Sequence, residues 1–245
     1  MNRFMRTELL LGQESMNRLQ QARVAVFGLG GVGSYTAEAL ARSGIGHMHL
    51  IDKDVVDVTN INRQLVALDK TVGQAKVDVM AERILQINPD CKVSRKKIFF
   101  DDTSVDEIFS EPIDFIADAI DTISAKILLV LEASARGIPI ISSMGAANKL
   151  DPTKFQILDI KDTTMDPIAK VMRRELKKRG FTGSLAVVCS TESPLTPVHG
   201  YSPVSTDTHD HSPRKVSVPP ASNAFVPPVA GLILASFIVQ QIAII

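Results

Sequence analysis

The chain has 245 residues, of which 45% are hydrophobic and 22% are charged, and 27 basic and 27 acidic residues give it a formal net charge of zero. This is the composition of an ordinary globular protein, and the length suffices for one large α/β domain. Because the overall charge is neutral, binding to a nucleic acid would depend on a local basic patch. The N-terminus lacks the apolar core of a signal peptide. Two isolated cysteines, Cys91 and Cys189, predict no disulfide framework and favour the reducing cytoplasm.

A glycine-rich turn follows the first predicted strand. Residues 3–21 predict one or two helical turns, and the apolar run 24–27 then predicts a buried strand. The next residues, Gly28-Leu29-Gly30-Gly31-Val32-Gly33, form a G-x-G-x-x-G pattern that opens a helix over 34–43. Glycines at such a turn let the backbone approach a phosphate, and the helix N-terminus offers free N–H groups. The pattern predicts a nucleotide site.

An acidic residue ends the second predicted strand. The apolar run 47–51 is followed by Asp52, whose carboxylate suits hydrogen bonds from ribose hydroxyls. Strand, turn, helix, strand and acid together indicate a nucleotide fold, but they do not separate NAD from ATP.

A polar cluster after Asp52 favours a triphosphate over a dinucleotide. Arginine presents a planar fork and lysine a point charge to phosphate oxygens, and side-chain amides stand between the two cations. Taken one by one, these residues also suit a solvated loop. The cluster consists of Asp54, Asn60, Asn62, Arg63, Gln64 and Lys76.

Strands and helices then alternate, which predicts a Rossmann-like α/β fold with a doubly wound, mostly parallel sheet. The predicted elements are a helix over 77–87, strands over 92–100 and 113–120, a helix over 124–136, and strands over 138–142, 155–160 and 185–189. The strand over 155–160 can pair antiparallel, so we expect some antiparallel strands in the C-terminal half.

Asp121 follows the predicted strand 113–120. In doubly wound sheets ligands bind outside the carboxyl ends of the strands, so Asp121 is expected at the same crevice as Gly28 and Asp52. A carboxylate beside a triphosphate suits Mg²⁺. The alternative is that Asp121 caps the next helix.

Residues 166–180 predict a strongly basic helix. Positions 170, 174, 177 and 178 fall on one face at helical spacing. Such a charge run indicates either a solvated helix face or contact with the phosphate backbone of RNA. Its cations are Lys170, Arg173, Arg174, Lys177, Lys178 and Arg179.

The C-terminal part contains a polar stretch and an apolar one. Residues 190–217 are rich in Ser, Thr, Pro and His and predict a mobile surface loop. The sequence His209-Asp210-His211 within it lacks the rest of a metal-ligand set, and Cys189 beside it is expected to be a buried small hydrophobe. Residues 229–245 are almost wholly apolar, which favours a core helix at the sheet or a dimer interface over membrane contact.

Several of these motifs together resemble the adenylating family of ubiquitin-activating-like enzymes, which includes the ThiF and MoeB proteins. Many members of that family hold a structural zinc with two C-x-x-C pairs. This chain has no C-x-x-C pair, so we expect no structural zinc and a zinc-free branch. The matching motifs are Gly28-x-Gly30-Gly31-x-Gly33, Asp52-x-Asp54, Asn60-x-Asn62-Arg63-Gln64, Gly73-Gln74-x-Lys76 and Ala119-Ile120-Asp121.

Further motifs resemble one zinc-free branch, the tRNA threonylcarbamoyladenosine dehydratases. They are Arg6-Thr-Glu-Leu-Leu-Leu-Gly12, Ala41-Arg-Ser-Gly-Ile-Gly46, Ile87-Asn-Pro89, Asp151-Pro-Thr153 and Asp166-Pro-Ile-Ala-Lys170. The resemblance implies that ATP and Mg²⁺ drive cyclisation of a threonylcarbamoyl side chain on tRNA through an acyl-adenylate. It also implies a homodimer, and it leaves open a sulfur-relay acceptor protein as a further partner.

The resemblance also implies a role for each candidate residue. Arg63 and Lys76 bind phosphate oxygens, Asp121 binds Mg²⁺, Asp52 binds the ribose, Asn60 and Gln64 orient the phosphates, Gly28, Gly30 and Gly33 shape the turn, and Arg6 acts in trans on the partner's ATP. Gly31, Asp54 and Asn62 complete the nucleotide site. No catalytic cysteine is implied.

We expect a single adenylating domain over 1–245, with a nucleotide-binding half over about 20–145 and a substrate-facing half over about 146–245 that includes the loop 190–217. Three alternatives remain open from the residues. One is adenylation of the C-terminus of a ubiquitin-like or sulfur-carrier protein. The others are an NAD-dependent oxidoreductase, disfavoured because no catalytic His–acid or Tyr–Lys arrangement is evident, and a non-catalytic nucleotide-binding partner.

Overall fold

The computed structural model describes residues 2–198 and 220–244 and contains a seven-stranded sheet. The strand order is β3-β2-β1-β4-β5-β7-β6, and all neighbours are parallel except the antiparallel pair β6–β7. This confirms the predicted fold class. The strands are β1 Arg23–Phe27, β2 His47–Ile51, β3 Lys92–Lys96, β4 Phe115–Asp118, β5 Ile140–Ser143, β6 Phe155–Asp159 and β7 Ala186–Ser190.

Helices cover both faces of this sheet, as a parallel sheet requires. They are α1 Met5–Leu11, α2 Gln13–Gln21, α3 Gly33–Arg42, α4 Lys76–Ile87, α5 Val105–Ile108, α6 Ile123–Arg136, α7 Pro167–Lys178 and α8 Val226–Ile244. Short 3₁₀ turns lie at Val58–Asn60, Asp69–Thr71, Pro152–Lys154 and Ile160–Asp162.

Strand β1 shows how the core is divided between the two faces. Successive side chains of a strand point to opposite sides. Val24 and Val26 pack in the cluster that includes residues of α3, α4 and α8, whereas Ala25 and Phe27 pack in the cluster that includes residues of α5 and α6. All four are fully buried. The strand therefore reads as a continuous apolar run because both of its faces are covered.

Helix α8 packs directly on α3, the helix that follows the glycine-rich turn. A Cβ on Gly231 would lie 2.2 Å from the Val32 carbonyl oxygen, and the Thr36 hydroxyl donates to the Gly231 carbonyl at 3.0 Å. By length and composition α8 could cross a membrane. Half of its residues between Val226 and Ala243 are buried in the protein, including Leu234 and Ile238. It is a core helix here, and it begins three residues earlier than the predicted start at residue 229.

Several element boundaries differ from the predicted ones. The predicted strand 113–120 is wrong at both ends, since β4 runs from Phe115 to Asp118. At its C-terminal end the Asp118 side chain accepts the Ile120 N–H at 3.1 Å, and the chain turns there. The predicted strand 92–100 stops at Lys96. The N-terminal segment, for which one or two helical turns were predicted, forms the two helices α1 and α2. In the predicted loop 190–217, residues 191–198 form no helix or strand. Residues 199–217, with His199, His209 and His211, lie outside the described residues.

Candidate active site

A cleft of about 480 Å³ opens at the carboxyl ends of the parallel strands. This is the edge at which doubly wound sheets bind ligands. Ten of the thirteen candidate residues line it, namely Gly28, Gly30, Gly31, Asp52, Asp54, Asn60, Arg63, Gln64, Lys76 and Asp121. The structure thus brings together the two cations and all three candidate carboxylates.

The glycine turn is required by backbone geometry at two positions. Gly28 has a φ of +85°, and a Cβ there would lie 2.7 Å from the Ala119 carbonyl oxygen. A Cβ on Gly33 would lie 1.8 Å from the Gly28 carbonyl oxygen. Gly33 therefore does not line the cleft; it allows α3 to pack against the turn, the role of the third glycine in such motifs.

Asp52 is buried at the end of β2 and fastens the glycine turn. Its Oδ2 accepts the Leu29 N–H at 2.6 Å, and its Oδ1 accepts the Asp54 N–H at 2.8 Å. Burial raises the pKa of Asp52 above its ordinary value, although nearby Lys76 and the two backbone hydrogen bonds act in the other direction. Each carboxylate oxygen has a second lone pair, so Asp52 can still accept a hydrogen bond from a ligand in the cleft.

Lys76, the first residue of α4, is held at the cleft by Asp54. The ammonium lies 3.0 Å from Asp54 Oδ2, and the Lys76 N–H also donates to the Asp54 carbonyl at 3.1 Å. The lysine side chain is 6% exposed, whereas that of Asp54 is 50% exposed. An ammonium has three donors, so the contact with Asp54 leaves donors for an anionic ligand.

Asn60, Arg63 and Gln64 lie within a single helical turn. The N–H groups of Arg63 and Gln64 both donate to the Asn60 carbonyl. Residues three and four apart share a face, which here is the face that lines the cleft. Arg63 donates to the Thr59 carbonyl at 3.0 Å and to Asn62 Oδ1 at 2.9 Å, both of them neutral partners. The Oε1 of Gln64 is buried and has no hydrogen-bond partner among the described residues.

Asn62 does not line the cleft. It is exposed and donates to the Ser222 carbonyl at 3.1 Å, while its Oδ1 accepts from Arg63. Asn62 therefore connects Arg63 to Ser222, which lines the cleft, and its predicted place in the nucleotide site stays a prediction.

Asp121 is exposed at the cleft, and its carboxylate accepts a hydrogen bond from the Thr122 hydroxyl at 3.3 Å. The N-cap of α6 is Thr122, and that cap makes no side-chain hydrogen bond, so Asp121 is not the capping residue. No group of three or more His, Cys, Asp or Glu side chains within 2–198 and 220–244 forms a metal cage. Mg²⁺ at Asp121 would need oxygens of a bound ligand, which is its usual mode beside phosphates.

Arg6 lies in α1, away from the cleft of its own chain. Helix α2 follows α1 and leads into the amino end of the sheet, where Leu19 and Ala22 accept the N–H groups of Gly46 and His47. The cleft is at the opposite, carboxyl end of the strands. The structure therefore does not bring Arg6 together with the other candidates of the same chain.

Two buried ion pairs near the cleft were not found from the sequence. Lys126 contacts Asp118 at 2.9 Å, with both side chains at most 1% exposed, and also donates to the Ile120 carbonyl at 3.1 Å. Lys149 contacts Asp166 at 2.9 Å, again fully buried. A lysine within the apolar stretch of α6 was the available signal for the first pair. Neither lysine could be matched to its partner from spacing alone.

An aromatic side chain and a third cation at the cleft were also missed. Lys53 lies 5.1 Å from the centroid of the Phe99 ring, and both residues line the cleft together with Ile98 and Phe100. Phe99 is 40% exposed. The sequence had placed this segment inside a strand, which hid its position beside the nucleotide turn.

Cys189 is buried in the core cluster under α7. Burial raises the pKa of its thiol to about 11, so the thiol stays protonated at neutral pH. A protonated thiol is a poor nucleophile, in keeping with its interpretation as a small core residue.

The fold and the cleft define a Rossmann-like nucleotide-binding protein that presents cations and carboxylates to a phosphorylated ligand. The chain belongs to the ThiF family, whose model matches residues 2–242. The family resemblance noted in the sequence is thereby confirmed.

Three relatives are similar to this chain over different shares of its length. The tRNA threonylcarbamoyladenosine dehydratase of Bacillus subtilis (strain 168) is 49% identical over 242 residues, which cover 99% of this chain and 95% of the relative. Crystal structures of the Escherichia coli dehydratase TcdA with ATP and with AMP match at TM-scores of 0.85 and 0.86 and 35% identity, covering 98% of this chain and 93% of TcdA. The molybdopterin-synthase adenylyltransferase of Escherichia coli (strain K12) is 32% identical over 140 residues, 57% of this chain and 54% of the relative.

Proposed function

We propose that this chain is an ATP-dependent enzyme that cyclises N6-threonylcarbamoyladenosine in tRNA with loss of water. The observation that carries the proposal is similarity over 99% of the chain to a dehydratase of that name, combined with a cleft that holds the glycine turn, both cations and the acids of an ATP site. Similarity to the molybdopterin-synthase adenylyltransferase stops at about half of the chain. The more complete similarity to the dehydratase therefore favours the tRNA substrate over a carrier protein.

The first chemical step is activation of a carboxylate. The threonyl carboxylate attacks the α-phosphorus of ATP, an acyl–O–P bond forms, the bond between the α-phosphorus and the bridging oxygen breaks, and pyrophosphate leaves. Negative charge develops on the phosphate oxygens, and Arg63 and Lys76 stabilise it as preorganised donors. Asp52 accepts hydrogen bonds from the ribose, and Asn60 and Gln64 orient the phosphates.

The second step closes the ring. The carbonyl oxygen of the carbamoyl group attacks the activated acyl carbon, AMP leaves with the former carboxylate oxygen, and one proton is released to solvent. The attack is intramolecular, so correct positioning in the cleft supplies much of the rate enhancement, up to about 7–11 kcal/mol in well-oriented systems. No cysteine nucleophile is needed, which agrees with the buried, protonated state of Cys189.

Magnesium is the cofactor that fits the acid at the cleft. The carboxylate of Asp121 is exposed and does not cap helix α6. Mg²⁺ characteristically combines one or two carboxylates with phosphate oxygens and water. An ion bound there would neutralise negative charge on the phosphate oxygens. Asp121 would hold it, and replacement of Asp121 by Asn is expected to raise the Mg²⁺ concentration needed for half-maximal turnover.

A homodimer would bring Arg6 to the active site. Arg6 lies at the end of the sheet opposite to the cleft of its own chain, so it reaches ATP if a second copy contributes it. Mixing of an Arg6→Ala chain with a Lys76→Ala chain tests this arrangement. Recovered turnover in the mixture, where one mixed site retains both residues, supports action in trans; no recovery contradicts it.

The decisive experiment is mass spectrometry of tRNA that carries threonylcarbamoyladenosine after incubation with the protein, ATP and Mg²⁺. We expect the modified nucleoside to lose the mass of one water, with one AMP formed per nucleoside converted. Intact ATP binding with no mass change in the nucleoside would contradict the proposal and redirect the search to a protein C-terminus. The matched control is tRNA without the modification, for which no AMP should form.

A further inference from the structure

The outer face of α7 is a basic surface that the adenylation chemistry does not use. Residues 170–179 contain six basic side chains and one acidic side chain, in a chain whose formal net charge is zero. Ala169, Met172 and Leu176 are buried beneath the helix, which leaves the cations on its outer side. The helix therefore presents positive charge to solvent along its length.

Three lysines on this face are available to a ligand. Lys170, Lys177 and Lys178, hereafter the lysine stripe, are exposed and form no ion pair with any residue in the described part of the chain. Their spacing of seven and eight residues places them on one side of the helix. At 1.5 Å per residue the stripe extends about 12 Å along the axis, long enough to meet more than one phosphate of a nucleic acid strand.

The arginines of α7 are occupied differently. Arg174 and Arg179 both pair with Glu175, at 3.1 and 2.8 Å, and Arg173 donates to the Thr163 carbonyl at 2.7 Å. These contacts serve the helix and its attachment to the fold. The lysine stripe is what remains for a partner.

Helix stability explains only part of the stripe. Lys177 and Lys178 lie in the last turn, where positive charge is favourable to the helix dipole. Lys170 is the fourth helical residue, close to the positive end of the same dipole, where a cation is unfavourable. A cation at this position is accounted for by an external anion better than by the helix itself.

The stripe begins at the edge of the cleft. Ile168, two residues before Lys170, lines the cleft. The N-cap residue of α7, Asp166, accepts the N–H of Gly145 at 3.1 Å, and Gly145 is also part of the cleft wall. The helix therefore leads from the wall of the cleft outward.

We infer that the lysine stripe binds the phosphate backbone of the RNA that flanks the adenosine in the cleft, an inference that rests on the proposed function. A base that enters the cleft remains attached to its strand, so the neighbouring phosphates lie at the cleft edge, where the stripe starts. Exposed lysines are point charges without a fixed fork, which suits contacts to phosphates that position the RNA without reading its sequence.

The test compares two variants with the same loss of charge. The variant Lys170→Gln/Lys177→Gln removes two cations of the stripe, and the control Lys70→Gln/Lys92→Gln removes two exposed cations elsewhere. Glutamine retains the helix propensity of lysine. The dissociation constant of tRNA carrying threonylcarbamoyladenosine is measured over a series of salt concentrations for the wild type and both variants, with ATP affinity as the check on the cleft.

For the stripe variant we expect tRNA affinity to fall roughly tenfold at low salt, with ATP affinity unchanged. The magnitude of the slope of the logarithm of the dissociation constant against the logarithm of the salt concentration should fall by about 1.4 to 1.8. Each of the two lost phosphate contacts contributes about 0.7 to 0.9 to that slope. The control should match the wild type. Equal affinity and slope in the stripe variant would overturn the inference, even if the wild type converts its substrate. If the salt dependence differs between the wild type and the stripe variant but the wild type forms no dehydrated nucleoside, the RNA-binding inference stands and the proposed function is contradicted.

Discussion

Two lysine–aspartate pairs lie at the carboxyl end of the sheet in opposite environments. Lys76 and Asp54 are 3.0 Å apart, and Asp54 is half exposed at the cleft. Lys126 and Asp118 are 2.9 Å apart, and both are at most 1% exposed. The distances are nearly equal, so the difference between the pairs lies in their access to solvent.

The buried pair Lys126–Asp118 is surrounded by hydrogen-bond partners within the protein, whereas Lys76 of the open pair keeps donors for a ligand. Asp118 accepts hydrogen bonds from Lys126, from the Ser142 hydroxyl at 2.5 Å and from the Ile120 N–H at 3.1 Å. Lys126 also bonds to the Ile120 carbonyl, so the pair fixes the turn that leads to Asp121. Lys76 has spare donors beside a cleft. One pair therefore stabilises the fold, and the other is available to a ligand.

Breaking the buried pair should give the largest effect. Lys126→Met leaves the Asp118 carboxylate buried without its counter-charge, and removal of one partner of a buried pair costs about 3–5 kcal/mol. We expect the free energy of unfolding, measured by urea denaturation, to fall by this amount. The matched control is Arg95→Met, because the Arg95–Asp78 pair is more than half exposed on both sides and such pairs contribute at most about 1 kcal/mol. Equal losses in the two variants would contradict the distinction drawn between buried and open pairs.

Breaking the open pair should affect catalysis in place of stability. Lys76→Met removes a donor to the phosphates, and loss of one preorganised donor typically costs 10²–10³-fold in turnover. Asp54 remains solvated, so the free energy of unfolding should change by less than about 1 kcal/mol. Turnover is measured by ATP–pyrophosphate exchange with the modified tRNA, and Arg63→Ala should behave alike. Normal exchange in either variant would refute its phosphate role.

A smaller effect is expected at Asp52, which is buried like Asp118 but lines the cleft like Asp54. Asp52→Asn keeps one acceptor oxygen and places an NH₂ group against a backbone N–H, so KM for ATP should rise roughly tenfold. The pKa of Asp52 is raised from its ordinary value of 3.8 by burial, so the wild-type KM should rise as pH falls toward that raised pKa. The variant should lose this pH dependence; a wild-type KM that stays constant on acidification would argue against the ribose role.

The raised pKa of Asp52 also makes the free energy of unfolding depend on pH. Because burial disfavours the ionised carboxylate, the contribution of Asp52 to stability is fully present below its unfolded-state pKa and is lost as pH rises through its folded-state pKa. Denaturation of the wild type and of Asp52→Asn at a series of pH values measures this contribution as the difference between the two curves.

The sequence predicts the nucleotide half well because its signals are local. The turn at Gly28, the acid at the end of β2 and the alternation of strands and helices each depend on neighbouring residues. The motif that contains Asn62 does not say which of its residues reach the cleft directly. Asn60, Arg63 and Gln64 line the cleft, whereas Asn62 contacts it through the Ser222 carbonyl.

Long-range pairs could not be predicted. Lys149 meets Asp166 seventeen positions away, and Asn148 bonds to Ala221, 73 positions away. Such contacts are set by how α7 and the loop after β5 settle on the sheet, which a single sequence does not specify. The expected single domain over 1–245 stays a prediction, as do the catalytic roles of the cleft residues.

Asn148 has a further consequence for the architecture. It adopts a left-handed φ of +58°, its carbonyl accepts the Leu195 N–H at 2.7 Å, and its N–H donates to the Ala221 carbonyl at 2.7 Å. Leu195 and Ala221 are thereby anchored at one residue beside the cleft wall. Two residues that are far apart in the sequence therefore meet the loop after β5 at a single residue. A change of backbone conformation at Asn148 would disturb both contacts at once.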